Sequence, residues 1–508
     1  MEAGDSVDIV VEVQPGETDR KTVYGKPIQV GRYSVRGETV SFDDSAQKLF
    51  RAPPVPYDLN AGFNRRQWEN RPQGEAKIQR IIDALSGNAG SRKKRRIETK
   101  TEEESASAGK VPDRGVHEEA EAGGHSAINK IGDPQAAASL DIRTFDLVTY
   151  RNNVNKLMNT PYNQRDPWQM AVFRDGDTIF LDVRKEPEAE GGRPSGKAPE
   201  SDEEMRVHYR GSHFEHLCTR KRSQAAAAVG DTGGKTGSTR EGGARDNGPP
   251  FDPSTFEEFC VIVKSRIGAF RVLMAAEIDC FDPETGEAVE IKLTQESRHE
   301  GQERRFHQHK LRSWWIQSYT AGVPRIFCGT RTPEGKLTET RSYRTTQLPS
   351  VVAQRRAREG ERERSSPHWW EPRVCLSFLE DVLVALKKHT SSSHWQLETQ
   401  AEEDEGQAGS GTGAHSSRRK IVSDSDANRC EEGRSDGRRS AKRNSWILSF
   451  DPSLQRGQRQ ENQQQGQHHW GPEGHHQSSK QRFVKLTLRR TCEEPSFVFK
   501  KNKKDAKQ

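Results

Sequence analysis

Hydrophobic residues are scarce in this sequence: they make up 31% of its 508 residues, the same share as the charged residues. Much of the chain therefore cannot lie in a packed core. No apolar run approaches the roughly 18 residues that a membrane-spanning helix needs. The acidic start MEAGDSVDIV also lacks a basic segment followed by an apolar one. We expect a soluble, intracellular protein with no membrane partner.

Cysteine is sparse as well. The sequence has seven cysteines, widely spaced and never in a CxxC pair. This pattern excludes the ligand spacing of a structural zinc site and is typical of a reducing compartment.

Polar tracts divide the remaining sequence. We expect one catalytic domain at residues 24–390 and a C-terminal extension of its fold at residues 445–500. The net charge of +6 averages acidic and basic blocks, so it is weak evidence for a nucleic-acid partner. Disordered insertions are expected near residues 91–132, 186–203, 225–250, 353–366, 391–444 and 452–480, the last of these rich in Gln and His.

A basic run, SRKKRR at residues 91–96, opens the first of these tracts. Such a run is typical of a nuclear localisation signal or of a loose nucleic-acid contact. A solvated charge run is an equally good interpretation. We expect the nucleus, with nucleus and cytoplasm as the alternative.

The most informative stretch is residues 271–293, RVLMAAEIDCFDPETGEAVEIKL, which reads as a hairpin of two strands. Side chains alternate across a strand, so Glu277 and Asp279 are predicted to share one face. Glu290 and Lys292 share a face of the second strand, and Val289 and its alternate neighbours take the other. Three carboxylates and one lysine should therefore converge.

Clustered carboxylates repel one another unless a cation lies between them, and oxygen ligands favour Mg²⁺ or Mn²⁺. The alternative is a solvated hairpin whose charges face water. The apolar residues around Glu277 and Asp279 favour a strand buried on both faces, where charges need partners or a metal. An Asp separated by ten residues from Glu-x-Lys resembles the PD-(D/E)xK nucleases, whose acids hold the metal and whose lysine steadies the attacking water.

The elements around the hairpin predict a helix, three strands, a helix and a strand. Helices are predicted around residues 204–221 and at residues 304–321, where Gly322 supplies the stop. A strand is expected at residues 259–267 and another at residues 323–329. This is the core order of the PD-(D/E)xK fold. We therefore predict the α/β class, with a mixed sheet of the α+β kind, in a single domain.

Five sequence blocks over residues 140–335 resemble the DXO-type decapping nucleases, which remove incomplete or unusual caps from RNA 5′ ends. LVTYR carries Arg151, GSHFE carries Glu215, AEIDC carries Glu277 and Asp279, and VEIK carries Glu290 and Lys292. The longest block, HKLRSWWIQSYTAGVPRIFCGTR, carries Gln317. The family includes the partner of a nuclear 5′-to-3′ exoribonuclease.

This resemblance implies a role for each block. Asp279 would bridge two divalent ions, Mg²⁺ or Mn²⁺, with Glu290 and the carbonyl of Ile291 on one ion, and Glu215 and Glu277 on the other. Lys292 and Gln317 would hold the attacking water or the scissile phosphate. Arg151 and Cys260, and also Glu277, would contact the RNA substrate. The implied reactions are release of caps, including NAD caps, release of 5′ pyrophosphate, and 5′-to-3′ exonuclease digestion.

Two other function classes stay open. A DNA nuclease with the same core would keep the hairpin but is not expected to carry the LVTYR and HKLRSWWIQSY blocks. A scaffold that mainly stabilises a nuclear exoribonuclease needs no catalytic residues, so the complete set of acids, lysine and glutamine argues against a pure scaffold.

Overall fold

The computed structural model describes residues 6–13, 22–70, 77–85, 140–184, 201–222, 251–391, 444–453 and 482–491, with the backbone at 188–189 and 193–194. The insertions predicted near 91–132 and 225–250, and nearly all of those predicted at 391–444 and 452–480, lie outside these residues. The basic run at residues 91–96 does so too. Of the insertion predicted at 186–203, residues 188–189 and 193–194 form a two-stranded pair and residues 201–203 begin a helix, so that part of the prediction was wrong.

Sequence signals fix several helix ends. Helix α4, Asp202–Leu217, begins with a reciprocal capping box, in which Ser201 and Glu204 bond each other's backbone N–H. Helix α6, Leu311–Ala321, ends at Gly322, whose φ of +75° is the left-handed conformation that glycine adopts without strain. The α-helices of the described residues are α1 Arg65–Glu69, α2 Ile78–Leu85, α3 Arg151–Asn159, α4 Asp202–Leu217, α5 Glu300–Arg305, α6 Leu311–Ala321, α7 Leu348–Arg358, α8 Glu361–Arg364 and α9 Pro372–His389.

The strands come in runs that these helices separate. In order they are β1 Ser6–Val13, β2 Ile28–Arg36, β3 Thr39–Ser41, β4 Lys48–Phe50, β5 Tyr57–Asp58, β6 Leu147–Tyr150, β7 Trp168–Asp175, β8 Thr178–Val183, β9 Glu188–Ala189, β10 Arg193–Pro194, β11 Thr219–Lys221, β12 Glu257–Ile267, β13 Phe270–Glu277, β14 Cys280–Phe281, β15 Ala288–Gln295, β16 Arg325–Arg331, β17 Lys336–Arg344, β18 Asn444–Phe450 and β19 Arg482–Thr491.

Two mixed sheets organise the described residues. The larger has ten strands in the order β1-β19-β18-β7-β8-β6-β13-β12-β2-β3, and the smaller has seven in the order β11-β4-β14-β15-β16-β17-β5. At the centre of the larger sheet, β13 runs parallel to β6 and antiparallel to β12. In the smaller sheet, β15 runs parallel to β16 and antiparallel to β14. The predicted order of helix, three strands, helix and strand is confirmed by α4, β12, β13, β15, α6 and β16, with short β14 as an addition.

Both faces of the larger sheet are covered. On β13, Val272, Met274 and Ala276 join the large apolar core that also contains residues of α3, α6 and α9. Leu273 and Ala275 join a second core on the opposite face, which buries the apolar side of α2. The prediction of a strand buried on both faces is confirmed. The strands at the two ends of the described chain, β1 and β19, pair with each other at the edge of this sheet.

Three expectations need correction. Residues 353–366 were predicted to be a disordered insertion, but they contain the end of α7 and the whole of α8. Val352 packs into the core, and the buried carboxylate of Glu359 is paired with Arg304 and Arg355, which holds this segment in place. The domain begins before residue 24, since β1 belongs to the larger sheet. The predicted helix at 304–321 contains a π-helical turn at Phe306–Lys310.

None of the described helices has both the length and the apolar character needed to cross a membrane.

Candidate active site

The predicted hairpin is split between the two sheets. Strand β13 ends at Glu277 in the larger sheet, and β14 begins at Cys280 in the smaller one. Asp279 lies in the break between them. Glu277 and Asp279 were predicted to share one face of a continuous strand, and this was wrong, because the chain leaves one sheet for the other after Glu277. The two acids meet at the junction instead.

Glu290 is the most heavily bonded acid at this junction. It is 1% exposed, and its Oε1 accepts hydrogen bonds from Lys292 Nζ at 2.7 Å and Gln317 Nε2 at 2.5 Å. Its Oε2 accepts from Arg151 Nη1 at 3.1 Å. Burial alone would raise the pKa of Glu290, but the charges of Lys292 and Arg151 outweigh burial and hold that pKa below its ordinary value.

Asp279 and Glu277 have weaker partners. Asp279 Oδ2 accepts a 2.6 Å hydrogen bond from the backbone N–H of Ile291. Burial, with the neighbouring charges of Glu290 and Glu215, raises the pKa of Asp279 well above its ordinary value. Burial and the charges of Glu258 and Glu215 raise the pKa of Glu277 to about 8. Both acids therefore lack enough positive charge nearby.

Glu215 reaches the junction from the last turn of α4. Its Oε1 accepts a hydrogen bond from Lys48 Nζ at 3.0 Å. Strand β11 follows α4 immediately and pairs with β4, so the backbone places Lys48 beside this end of the helix. Lys48 and Glu215 are 23% and 32% exposed in their side chains, which makes this pair the more open part of the cluster.

The other predicted residues arrive from separate elements. Arg151 is 7% exposed and is the first residue of α3, directly after β6, which pairs with β13. Its guanidinium is bonded to Glu290 rather than laid out on the surface. Cys260 stands opposite Glu277 in the β12–β13 ladder. Burial raises the pKa of the Cys260 thiol to about 12, so the thiol stays protonated at neutral pH.

Sequence reasoning missed two charged residues here. Glu258 stands two positions before Cys260 on β12, so strand alternation alone places both on one face and would have found it. Burial raises the pKa of Glu258, although Arg80 and Lys48 act against that effect. Lys48 lies 167 residues from Glu215 in sequence, and nothing local to it signals the contact.

The donor atoms suit a hard divalent cation. They are carboxylate oxygens, and the raised pKa values of Glu277 and Asp279 mark acids that an added cation would stabilise in the charged form. Within the described ranges, no three His, Cys, Asp or Glu side chains are already grouped as a metal site. Lysine and arginine hold the oxygens of Glu215 and Glu290 instead, so cation binding must rearrange these pairs.

A profile of the family described as RAI1-like PD-(D/E)XK nuclease matches residues 124–424, more than half of the chain. The chain belongs to this family. This membership confirms the predicted α/β class and PD-(D/E)xK core. It also confirms the resemblance to the DXO-type decapping nucleases, because decapping nucleases are among the relatives that match.

Two relatives illustrate the range of similarity. The decapping and exoribonuclease protein of Homo sapiens is 30% identical over 239 residues, which cover 46% of this chain and 51% of the relative. The decapping nuclease RAI1 of Cryptococcus neoformans is 24% identical over 390 residues, covering 74% of this chain and 79% of the relative. The chain thus matches about half the length of the animal relatives and more of the fungal one.

Solved structures of fungal RAI1-like nucleases share the fold. Rai1 of Candida albicans, in complex with pU5 and Mn²⁺, is 15% identical with a TM-score of 0.52, and the match covers 93% of this chain and 91% of that one. Rai1 of Scheffersomyces stipitis, in complex with (3′-NADP)⁺ and calcium, is 16% identical with a TM-score of 0.51, covering 97% and 93%. At these identities the likeness concerns the fold alone.

Proposed function

We propose that this chain is a divalent-metal-dependent hydrolase of RNA 5′ ends. It would remove incomplete or unusual caps, including NAD caps, release pyrophosphate from 5′ triphosphates, and digest the exposed end in the 5′-to-3′ direction. The observation that carries the proposal is the gathering of Glu215, Glu277, Asp279 and Glu290 beside Lys292 at the sheet junction. The names of the relatives support the RNA substrate and the decapping reaction.

The proposed cofactor is Mg²⁺ or Mn²⁺, with Asp279, Glu290 and the carbonyl of Ile291 holding one ion and Glu215 and Glu277 holding a second. A bound ion would lower the pKa of a water molecule and neutralise charge on the leaving oxygen. Binding of Mn²⁺ and calcium by the Candida and Scheffersomyces proteins supports this choice.

The side chains of the protein supply orientation and fixed charge. Glu290 keeps the ammonium of Lys292 charged: burial would lower the pKa of Lys292, but Glu290 and Asp279 raise it. The charged ammonium of Lys292 would stabilise negative charge on a phosphate oxygen. Arg151 holds the other oxygen of Glu290 and so fixes the plane of its carboxylate. Gln317 donates to the same acid and can turn its amide toward the water or phosphate.

The deciding experiment uses RNAs that differ only at the 5′ end: triphosphate, unmethylated cap, methylated cap, NAD cap and monophosphate. Products are identified with Mg²⁺, with Mn²⁺ and with excess chelator, and a DNA strand of the same sequence is the control. We expect metal-dependent release of cap products or pyrophosphate from RNA. Full hydrolysis in chelator would overturn the metal assignment, and equal hydrolysis of the DNA would favour a general nuclease.

The nuclear location and the exoribonuclease partner are parts of the same proposal. Replacing residues 92–96 with alanine should move the protein toward the cytoplasm without changing turnover in vitro. If the purified chain cleaves none of the RNAs yet stabilises a 5′-to-3′ exoribonuclease against heat, the scaffold function is correct and the catalytic one is not.

A further inference from the structure

Lys48 is a fixed member of the acidic cluster. Strand β4, which begins at Lys48, lies between β11 and β14, with Lys48 opposite Lys221 and Leu49 opposite Phe281. Arg51, the residue after β4, bonds the end of α4: its backbone N–H donates to the Cys218 carbonyl at 2.9 Å, its Nε to the Leu217 carbonyl at 3.0 Å and its Nη2 to the His216 carbonyl at 3.5 Å. The backbone therefore locks Lys48 to the helix end that carries Glu215.

The ammonium of Lys48 faces three acids. It donates to Glu215 at 3.0 Å, and the charges of Glu215, Glu277 and Asp279 all act to hold its pKa well above the ordinary value. Glu215 and Glu277 are the acids proposed for the second divalent ion, and Asp279 is the acid proposed to bridge both. A protein cation thus stands where that second ion would bind.

The charge balance of the junction agrees with this position. With every group ionised, five acids (Glu215, Glu258, Glu277, Asp279 and Glu290) face four bases (Lys48, Arg80, Arg151 and Lys292), which leaves one excess negative charge. One divalent ion more than neutralises it. A second ion would have to bind beside a surplus of positive charge unless Lys48 moves away from Glu215.

We propose that Lys48 is a built-in counter-ion that takes the place of the second divalent cation. The resting centre then binds one ion tightly, on the Asp279 and Glu290 side, and accepts another only when Lys48 leaves Glu215. This inference rests on the proposed metal dependence, and it makes Lys48 a positioning residue that sets the metal stoichiometry.

The test is Mn²⁺ binding by the full chain without RNA. Titration calorimetry and the electron paramagnetic resonance signal of free Mn²⁺ measure the number of bound ions and their affinity. The variants are Lys48→Met, which keeps most of the length of the side chain and removes the charge, and Lys48→Arg, which keeps the charge. We expect one tight ion in the wild type and in Lys48→Arg. In Lys48→Met we expect a second ion, bound about tenfold or more tightly than in the wild type, because the positive charge that repels this ion has been removed.

Two further measurements keep the outcome decisive. Thermal unfolding shows whether each variant is folded, and the double variant Lys48→Met/Glu215→Gln should lose the gain, because the second ion needs Glu215. Equal stoichiometry and affinity in the wild type and Lys48→Met, or weaker binding in Lys48→Met, would overturn the proposal while leaving metal-dependent RNA hydrolysis intact. Absence of Mn²⁺ binding in every folded variant would overturn both.

Discussion

Glu290 and Asp279 lie at the same junction of the two sheets, but the protein holds these two acids in opposite ways. Asp279 is bonded to the backbone of Ile291, twelve residues further along the chain. Glu290 accepts hydrogen bonds from a lysine, an arginine and a glutamine, and its pKa is lowered. Asp279 accepts one from a backbone N–H, and its pKa is raised. Partners, rather than depth, decide the charge of each acid.

This difference separates two tasks within one cluster. Glu290 is already ionised and fixed, so it resembles a preorganised support for Lys292 and Arg151. Asp279 and Glu277 are acids that become stable carboxylates only when positive charge arrives. A divalent cation should therefore draw most of its electrostatic stabilisation from Asp279 and Glu277, whereas it must share the oxygens of Glu290 with Lys292 and Arg151.

The largest effect is expected from Glu290→Gln. The change removes the charge that both Lys292 and Arg151 pair with, so turnover should fall by roughly 10³-fold or more. Cap release, pyrophosphate release and exonuclease digestion are assigned to one centre and should fall together, as measured by single-turnover assays on the matched RNAs. If one activity survived at the wild-type rate in a cooperatively folded variant, the single-centre mechanism would be wrong.

The next effect is on stability. Arg151→Met leaves Glu290 without one of its two cations in a buried setting, and breaking such a pair costs about 3 kcal/mol of unfolding free energy. The matched control is Arg341→Met, whose partner Glu339 lies 3.2 Å away in a pair that is 61% and 57% exposed. It should cost less than about 1 kcal/mol. Urea unfolding measures both, and equal losses would show that the Arg151–Glu290 pair is not a special support.

Much of this comparison was readable from local sequence. Glu290 and Lys292 were placed on one face by strand alternation, and their 2.7 Å hydrogen bond confirms it. The same rule failed for Glu277 and Asp279, because alternation assumes a continuous strand and cannot show that the chain changes sheets between them. Arg151 was found only through the family resemblance. Lys48 was missed because its contact depends on how β4 and β11 pair, a long-range event with no local pattern.

The pH dependence of stability tests the two acids with weak partners, Asp279 and Glu277, through the second of them. The pKa of Glu277 is raised from 4.5 to about 8, so the folded protein holds a proton that the unfolded chain releases at lower pH. The stabilisation from that proton is complete below pH 4.5 and is lost as the pH rises through about 8. Glu277→Gln cannot ionise, so in chelator it should gain on the order of 3 kcal/mol over the wild type between pH 5 and pH 9.

Urea unfolding at several pH values measures this gain, and Glu284→Gln, an exposed acid in the turn before β15, serves as the control. Saturating Mn²⁺ should reduce or reverse the gain, because the cation needs the ionised carboxylate. Parallel stability curves for Glu277→Gln and the wild type at every pH would show that Glu277 is ionised throughout. Glu277 and Glu290 would then not differ in charge.

The smallest effect concerns the third partner of Glu290. Gln317 donates to Oε1, which also accepts from Lys292, so Gln317→Met leaves that oxygen bonded and should cost only about 1 kcal/mol of unfolding free energy. The control is Gln67→Met, since Gln67 donates to Asp252 at 3.0 Å on the surface, and it should cost less than about 0.5 kcal/mol. A turnover loss far larger than this stability cost would place Gln317 on the water or the phosphate. A turnover that changes no more than stability does would leave Gln317 as a support of Glu290 alone.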